Sequence, residues 1–159
     1  MRPMRRSDRE ITDFSRIVEV IKGCKVARLG MYDEVPYIVP LNFGYDAEEG
    51  SITLYFHSAA EGRKIDILTK NPIVCFEMDR GMGLVPNENP CAYGYGFESI
   101  IGTGKVEFIE NIDEKIYALN RIMLHQAGIE VPFTEAQVKN ICVYKVKADE
   151  FACKIRKMG

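Results

Sequence analysis

Hydrophobic residues recur along this chain with two periods. In residues 52–57, Ile52, Leu54 and Phe56 alternate with Thr53, Tyr55 and His57, the two-residue period of a strand with one face on a core. That alternation puts His57 off the core face. Residues 24–31, 35–45, 73–76, 93–97 and 141–146 have strand composition as well, and residues 46–50 (Asp46, Ala47, Glu48, Glu49, Gly50) read as a hairpin turn. Between the strands the period lengthens to that of a helix. Ile11, Phe14, Ile17, Val18 and Ile21 fall on one face of a segment that Ser7 and Glu10 open as a capping box and Gly23 closes, a helix suited to lie as a lid on a barrel. Ile65 and Leu68 keep helical spacing until Asn71 and Pro72 end it. Residues 112–127 set Ile116, Leu119 and Met123 on one face, which leaves His125 on a solvated side. Thr134 with Gln137 predicts a short capped helix before the last strand. The pattern is that of one mainly β domain over residues 1–159, with flanking helices.

Composition narrows the class. The 159 residues are 47% hydrophobic with net charge −2 and pI near 5.8, enough apolar content for one core and a poor surface for nucleic acid. Lys145, Lys147, Lys154, Arg156 and Lys157 make the C-terminal segment locally basic and read as a solvated face. Met1, Arg2, Arg5 and Arg6 are followed by no apolar leader core and no stretch approaches a membrane span, so a cytoplasmic protein away from membranes is expected. Cys24, Cys75, Cys91, Cys142 and Cys153 are odd in number and lack CxxC spacing, which argues for reduced thiols. With only His57 and His125 available, no histidine-rich metal centre is expected.

The candidate chemistry lies in residues 55–64, where Ser58, Ala59, Ala60 and Gly62 lead from a strand into a helix whose first turn carries Arg63 and Lys64. A helix N-terminus exposes N–H groups and partial positive charge, so cations there are unfavourable unless they hold an anion. Two readings stand on these residues alone, a phosphate cradle and a surface turn whose long side chains reach water. The segment is no nucleotide P-loop, because the GxxxxGK[ST] spacing is absent and Ile65 follows Lys64. Gly102 Thr103 Gly104 Lys105 likewise lacks the third glycine and the βαβ setting of a dinucleotide site. Upstream, Pro36 and Pro40 remove two N–H groups from the same side of one strand. That strand is predicted at an edge, rim or bulge, with backbone groups near Leu41 and Asn42 free for a ligand or merely exposed. Residues 80–92, rich in Gly, Pro and Asn, read as a mobile loop or as the rim of a site. Tyr93, Tyr95 and Phe97, opposite Gly94 and Gly96, suit stacking on an aromatic cofactor or packing against a second subunit.

Taken in order, Arg28 Leu29, then Pro36 Tyr37 Ile38 Val39 Pro40 Leu41 Asn42 Phe43, then Phe56 His57 Ser58 Ala59 with Gly62 Arg63 Lys64, then Asn71 Pro72, resemble one known family. It is the FMN-binding split-barrel family related to pyridoxamine 5′-phosphate oxidase, and within it the branch that includes the nitroimidazole-resistance reductases. The resemblance implies a six-stranded Greek-key split barrel and a homodimer with FMN at the subunit interface. It also implies an oxidoreductase that passes electrons from NAD(P)H to a small oxidised acceptor such as a nitro compound. By the same resemblance Arg63 and Lys64 hold the FMN phosphate, and Arg28, Leu29, Pro40, Leu41 and Asn42 line the ring and ribityl chain. His57, Ser58 and Ala59 then lie beside the ring, and Ser99 approaches from the partner subunit. His57 is the candidate catalytic residue, since histidine is the side chain suited to donating a proton near neutral pH. The chain departs from the vitamin oxidases in having no tryptophan and no arginine-leucine-proline signature near its end, Phe151 to Gly159, so vitamin oxidation is not implied. A non-catalytic flavin-binding or sensory module and a haem-binding split barrel are the competing readings.

Overall fold

A computed structural model describes residues 3–48 and 50–158; Met1, Arg2, Gly159 and Glu49 of the predicted hairpin turn lie outside them. A 3-10 turn at Ser7–Arg9 leads into a short strand, β1 (Glu10–Ile11), and helix α1 (Phe14–Gly23). Four strands follow, β2 (Val26–Asp33), β3 (Val35–Asn42), β4 (Gly44–Glu48) and β5 (Ser51–Ser58). Helix α2 (Arg63–Lys70), strands β6 (Ile73–Val85) and β7 (Gly94–Ile109), helices α3 (Ile112–Ala127) and α4 (Glu135–Val138), and strand β8 (Cys142–Arg156) complete the chain.

All pairings are antiparallel, in the order β3-β2-β6-β7-β8-β5-β4, with β1 added to β8. The two end strands of that order, β3 and β4, are joined by Phe43 alone, so the sheet curls until its ends meet at one fully buried residue. Alternate side chains fill the interior: Leu29, Phe56, Phe76, Met78, Ile100, Val106 and Tyr144 belong to one buried cluster. Each such side chain contributes about 1.5–3 kcal/mol by leaving water. Two glycines permit the tight curl. A Cβ on Gly102 would lie 2.3 Å from the Phe76 ring, and one on Gly104 would lie 2.4 Å from the Lys147 carbonyl, beside a register shift between β7 and β8. Outside the barrel, α3 covers β5 and the start of β8 through Tyr55, Leu119, Ile122 and Val143.

The structure departs from the sequence pattern at definite places. Among the described residues eight strands stand where six were expected, because residues 35–45 break at Phe43 and because Glu10 and Ile11 pair with Lys154 and Cys153. Drawn into the sheet, Glu10 cannot serve a capping box with Ser7. Asp13 caps α1 instead, its carboxylate accepting the Arg16 N–H at 3.1 Å. Residues 80–92 are not one loop, since β6 runs on to Val85 through an irregularity at Gly81 and Gly83. The last strand continues past Val146 to Arg156; its charged outer positions hid the alternation. The bounds of α3 match, yet its buried face runs through Lys115, Ala118, Leu119 and Ile122. His125 is therefore not on a solvated side. It is half-buried, with Nε2 2.7 Å from the Cys24 carbonyl and its ring 4.7 Å from Phe43 and 5.0 Å from Tyr45, and burial pushes its pKa down. Among the described residues no helix is long and apolar enough to cross a membrane, and no cluster of three or more potential metal ligands occurs.

Candidate functional site

The split in the barrel follows from the register. Gly44 of β4 lies opposite Tyr55 of β5, and carrying the same register on past Phe43 would bring Asn42 across from His57 and Leu41 across from Ser58. That register is not continued. Residues Val35–Asn42 pair with β2 instead, and β5 pairs onward with β8, so no ladder joins the two strand ends. β3 consequently has one paired and one open edge. In an antiparallel strand a residue's N–H and C=O point the same way, and a proline cannot donate to the β2 ladder. Pro36 and Pro40 therefore face outward, and Ile38 and Asn42 present the outward N–H groups. The edge strand predicted from the prolines is observed.

Helix α2 starts beside this edge. Its N-cap is Gly62 at φ 130, which offers no side-chain cap, and a Cβ there would meet nothing within 4 Å. The Gly62 carbonyl accepts from the N–H groups of Ile65 at 2.8 Å and Asp66 at 3.1 Å, leaving those of Arg63 and Lys64 without intrahelical partners. The Arg63 guanidinium lies over the Tyr37 ring, 4.3 Å from its centroid, which ties the helix start to β3. Lys64 is half-buried and close enough to Cys142 for its charge to bear on that thiol. Neither cation pairs with a carboxylate of the described residues. Two unpaired cations, two free N–H groups and open space before Gly62 fit a phosphate.

The other predicted residues divide. His57 and Ala59 are exposed at the end of β5, and the His57 ring makes no hydrogen bond to a described residue. Ser58 is half-buried and donates to the Ala59 carbonyl at 2.8 Å. Arg28 projects from the outer face of β2 and is held by Glu77 at 2.8 Å and Asp79 at 2.6 Å. Leu29 points the opposite way, fully buried in the core, so only its backbone can border a ligand. Pro40 is exposed and Leu41 half-buried on β3. The Asn42 amide donates to the Lys25 carbonyl at 3.0 Å and to Gln126 at 3.2 Å, which leaves its backbone for the edge. Ser99 lies on β7 between Asp79 and Lys154, apart from the α2 start, and lines a cavity of about 350 Å³ with Met4, Ile101 and Phe151.

Three polar clusters carried no sequence signal, because their members are distant in the chain. Glu98, fully buried on β7, is clasped by Arg16 of α1 and Arg80 of β6. Asp46 accepts from the hydroxyls of Tyr55 at 2.8 Å and Tyr117 at 2.9 Å and pairs with Arg121 at 2.7 Å. Burial and that carboxylate push both tyrosine pKa values up. Lys115 is buried beside the turn before β8. In the barrel itself the Tyr144 hydroxyl is buried without a well-formed hydrogen bond, since the nearby Ser58 hydroxyl is engaged with Ala59.

Comparison with known proteins agrees with this architecture. A crystal structure of a candidate 5-nitroimidazole antibiotic resistance protein from Bacteroides thetaiotaomicron is 36% identical, with a TM-score of 0.78 over 92% of this chain and 86% of the other. The flavocytochrome of Azotobacter vinelandii shares the fold at 21% identity and TM-score 0.80, covering 98% of this chain and 72% of that one. The FAD- and heme-binding protein of Mycobacterium smegmatis does so at 15% identity and TM-score 0.78, covering 94% and 74%. No curated protein sequence matches. The family model for pyridoxamine 5′-phosphate oxidase matches residues 13–155, nearly the whole chain, and this protein belongs to that family.

Proposed function

We propose that this protein is a homodimeric FMN flavoprotein that passes electrons from NAD(P)H to a small oxidised acceptor such as a nitro compound. The observation that carries the reading is the pair of unpaired cations, Arg63 and Lys64, at an uncapped helix start beside the open β3 edge. The 36% identity to the candidate nitroimidazole-resistance protein supports the acceptor class. The flavin, when bound, supplies hydride acceptance and electron delivery. The residues of this chain bind and orient it: Arg63 and Lys64 hold the phosphate, and the Ile38 and Asn42 N–H groups on the open edge donate to the ligand. The exposed His57 ring, bonded to no described residue, is available to give a proton from a ring N–H to the acceptor. The outer sheet face bears Tyr32, Ile38, Ile73 and Ile101, each about half or more exposed, and offers the apolar area on which two copies associate.

Titration of apo-protein with FMN and with riboflavin tests the reading. Lys64→Ala should weaken FMN binding by roughly 10- to 100-fold, the worth of a charge-assisted bond, and leave riboflavin binding unchanged. Equal losses for both ligands, or a Soret band from the purified protein in place of flavin absorption, would overturn it. His57→Ala should keep FMN, leave its reduction by NAD(P)H nearly unchanged, and slow acceptor reduction by about 10²-fold. Unchanged stopped-flow rates for both half-reactions would assign His57 no catalytic part.

A further inference from the structure

We propose that the cavity between α2, the start of α3 and the turn before β8 is a second binding site, which takes a small organic monocarboxylate on the Lys115 ammonium. The cavity is open to solvent on one side and has a volume of about 550 Å³, within the usual range for small-molecule sites. Lys115 lines it and is only 7% exposed. Its Nζ donates to the Lys139 carbonyl at 3.3 Å and to the Ile141 carbonyl at 3.1 Å. An ammonium has three N–H groups, so one has no acceptor among the described residues. Nor does the charge have a counter-ion, since Glu110 lines the same cavity without reaching ion-pair distance of Lys115. Buried cations are ordinarily paired, because removing one from water without compensation is costly. Clamping the turn through two carbonyls explains two of the three N–H groups. It explains neither the third nor the open volume in front of it.

The lining decides the ligand class. Among the lining residues Lys115 and Lys139 against Glu110 leave one net positive charge, which suits a monoanion. Ile65, Phe108 and Ile141 supply apolar wall for the body of the molecule. Neither Arg63, Lys64 nor any β3 residue lines the site, although Lys64 is near enough to the lining residue Cys142 for its charge to be felt there, so the test must separate binding here from binding at residues 62–64.

Benzoate and its neutral isostere benzamide, titrated into the full chain and followed by amide NMR, test the site. Benzoate should shift the amides of Thr69, Lys139 and Ile141 saturably, at least 10-fold more tightly than benzamide. Lys115→Met should abolish that preference. Because this variant leaves two carbonyls unpaired and can fail to fold, the exposed Glu110→Gln provides the second arm: with one negative charge removed, benzoate should bind severalfold tighter. Equal binding of the two probes, shifts confined to residues 62–64, or no tightening in Glu110→Gln would overturn the proposal.

Discussion

Replacing Glu98 by Gln removes a charge from the most buried ionic cluster of the fold while keeping the side-chain shape. Glu98 is fully buried; Arg16 donates to its Oε1, and Arg80 donates through Nε to Oε2 at 2.5 Å. The cluster fastens α1 and β6 to β7, and a Cβ on Gly23 would lie 2.1 Å from the Arg80 guanidinium, so Arg80 also lies against the end of α1. A Gln oxygen can still accept from one arginine, but its NH2 group then faces the other, donor against donor. Hydrogen bonds to charged groups contribute about 1.5–3 kcal/mol each, and breaking a buried pair costs about 3–5 kcal/mol. The Arg16 and Arg80 side chains are 37% and 40% exposed and can turn toward water, which places the expected loss near the lower figures, about 2–3 kcal/mol. For a chain of this size that is a fall in Tm of roughly 4–12 °C. Arg16→Ala leaves Arg80 on the carboxylate and should cost only about 1 kcal/mol. Urea and thermal unfolding followed by circular dichroism measure both. A Gln variant within about 0.5 kcal/mol of the parent, or an Arg16→Ala loss larger than the Gln loss, would refute the clasp.

Gly44→Ala and Gly50→Ala should differ sharply. A Cβ on Gly44 would lie 2.4 Å from the backbone of Arg121 and Ile122, so α3 must move and the loss should reach about 3 kcal/mol or more. Gly50, at φ 83 with open space around it, should lose only about 1–2 kcal/mol from its left-handed backbone, and the reverse ranking in urea melts would contradict the packing. Burial holds the His125 pKa below its ordinary 6.5, so the unfolded chain binds that proton more readily; the residue's stabilisation is full above pH 6.5 and fades as pH falls toward the lowered value. His125→Gln should accordingly be less stable than the parent by about 1 kcal/mol at pH 7.5, with the gap closing toward pH 5; a gap constant with pH would mean that the ring is not held neutral. Ile38, 64% exposed on the open edge strand, tests assembly: Ile38→Glu should turn the dimer into monomer by sedimentation at low micromolar concentration, and an unchanged dimer would place the interface elsewhere.

What could be read from the sequence and what could not separate by the range of the interactions. The anion candidate was legible because the rule it breaks is local: Arg63 and Lys64 sit in the first turn of a helix whose ends Gly62 and Asn71 mark within a few residues. The open edge was legible for the same reason, since Pro36 and Pro40 act on their own strand wherever it lies. The bounds of α3 and the capping pair Thr134 and Gln137 are local too, and the structure has them as read. Glu98 gives no such sign. Its partners stand 82 and 18 residues away, and its neighbours Phe97 and Ser99 fit any half-exposed strand. Lys115 is a different case: its spacing from Ala118, Leu119 and Ile122 puts it on the buried face of α3, but its charge reads as a solvated position, and only the carbonyls of Lys139 and Ile141 make room for it inside. The Ser7 and Glu10 capping box failed in the opposite direction: a valid local signal lost to a tertiary one, because pairing Glu10 and Ile11 with β8 gains strand hydrogen bonds that a longer helix would forgo. The same competition shapes the candidate site. β3 pairs with β2 rather than following β4 along β5, and the donors left over on its outer edge are what the barrel can offer to a ligand.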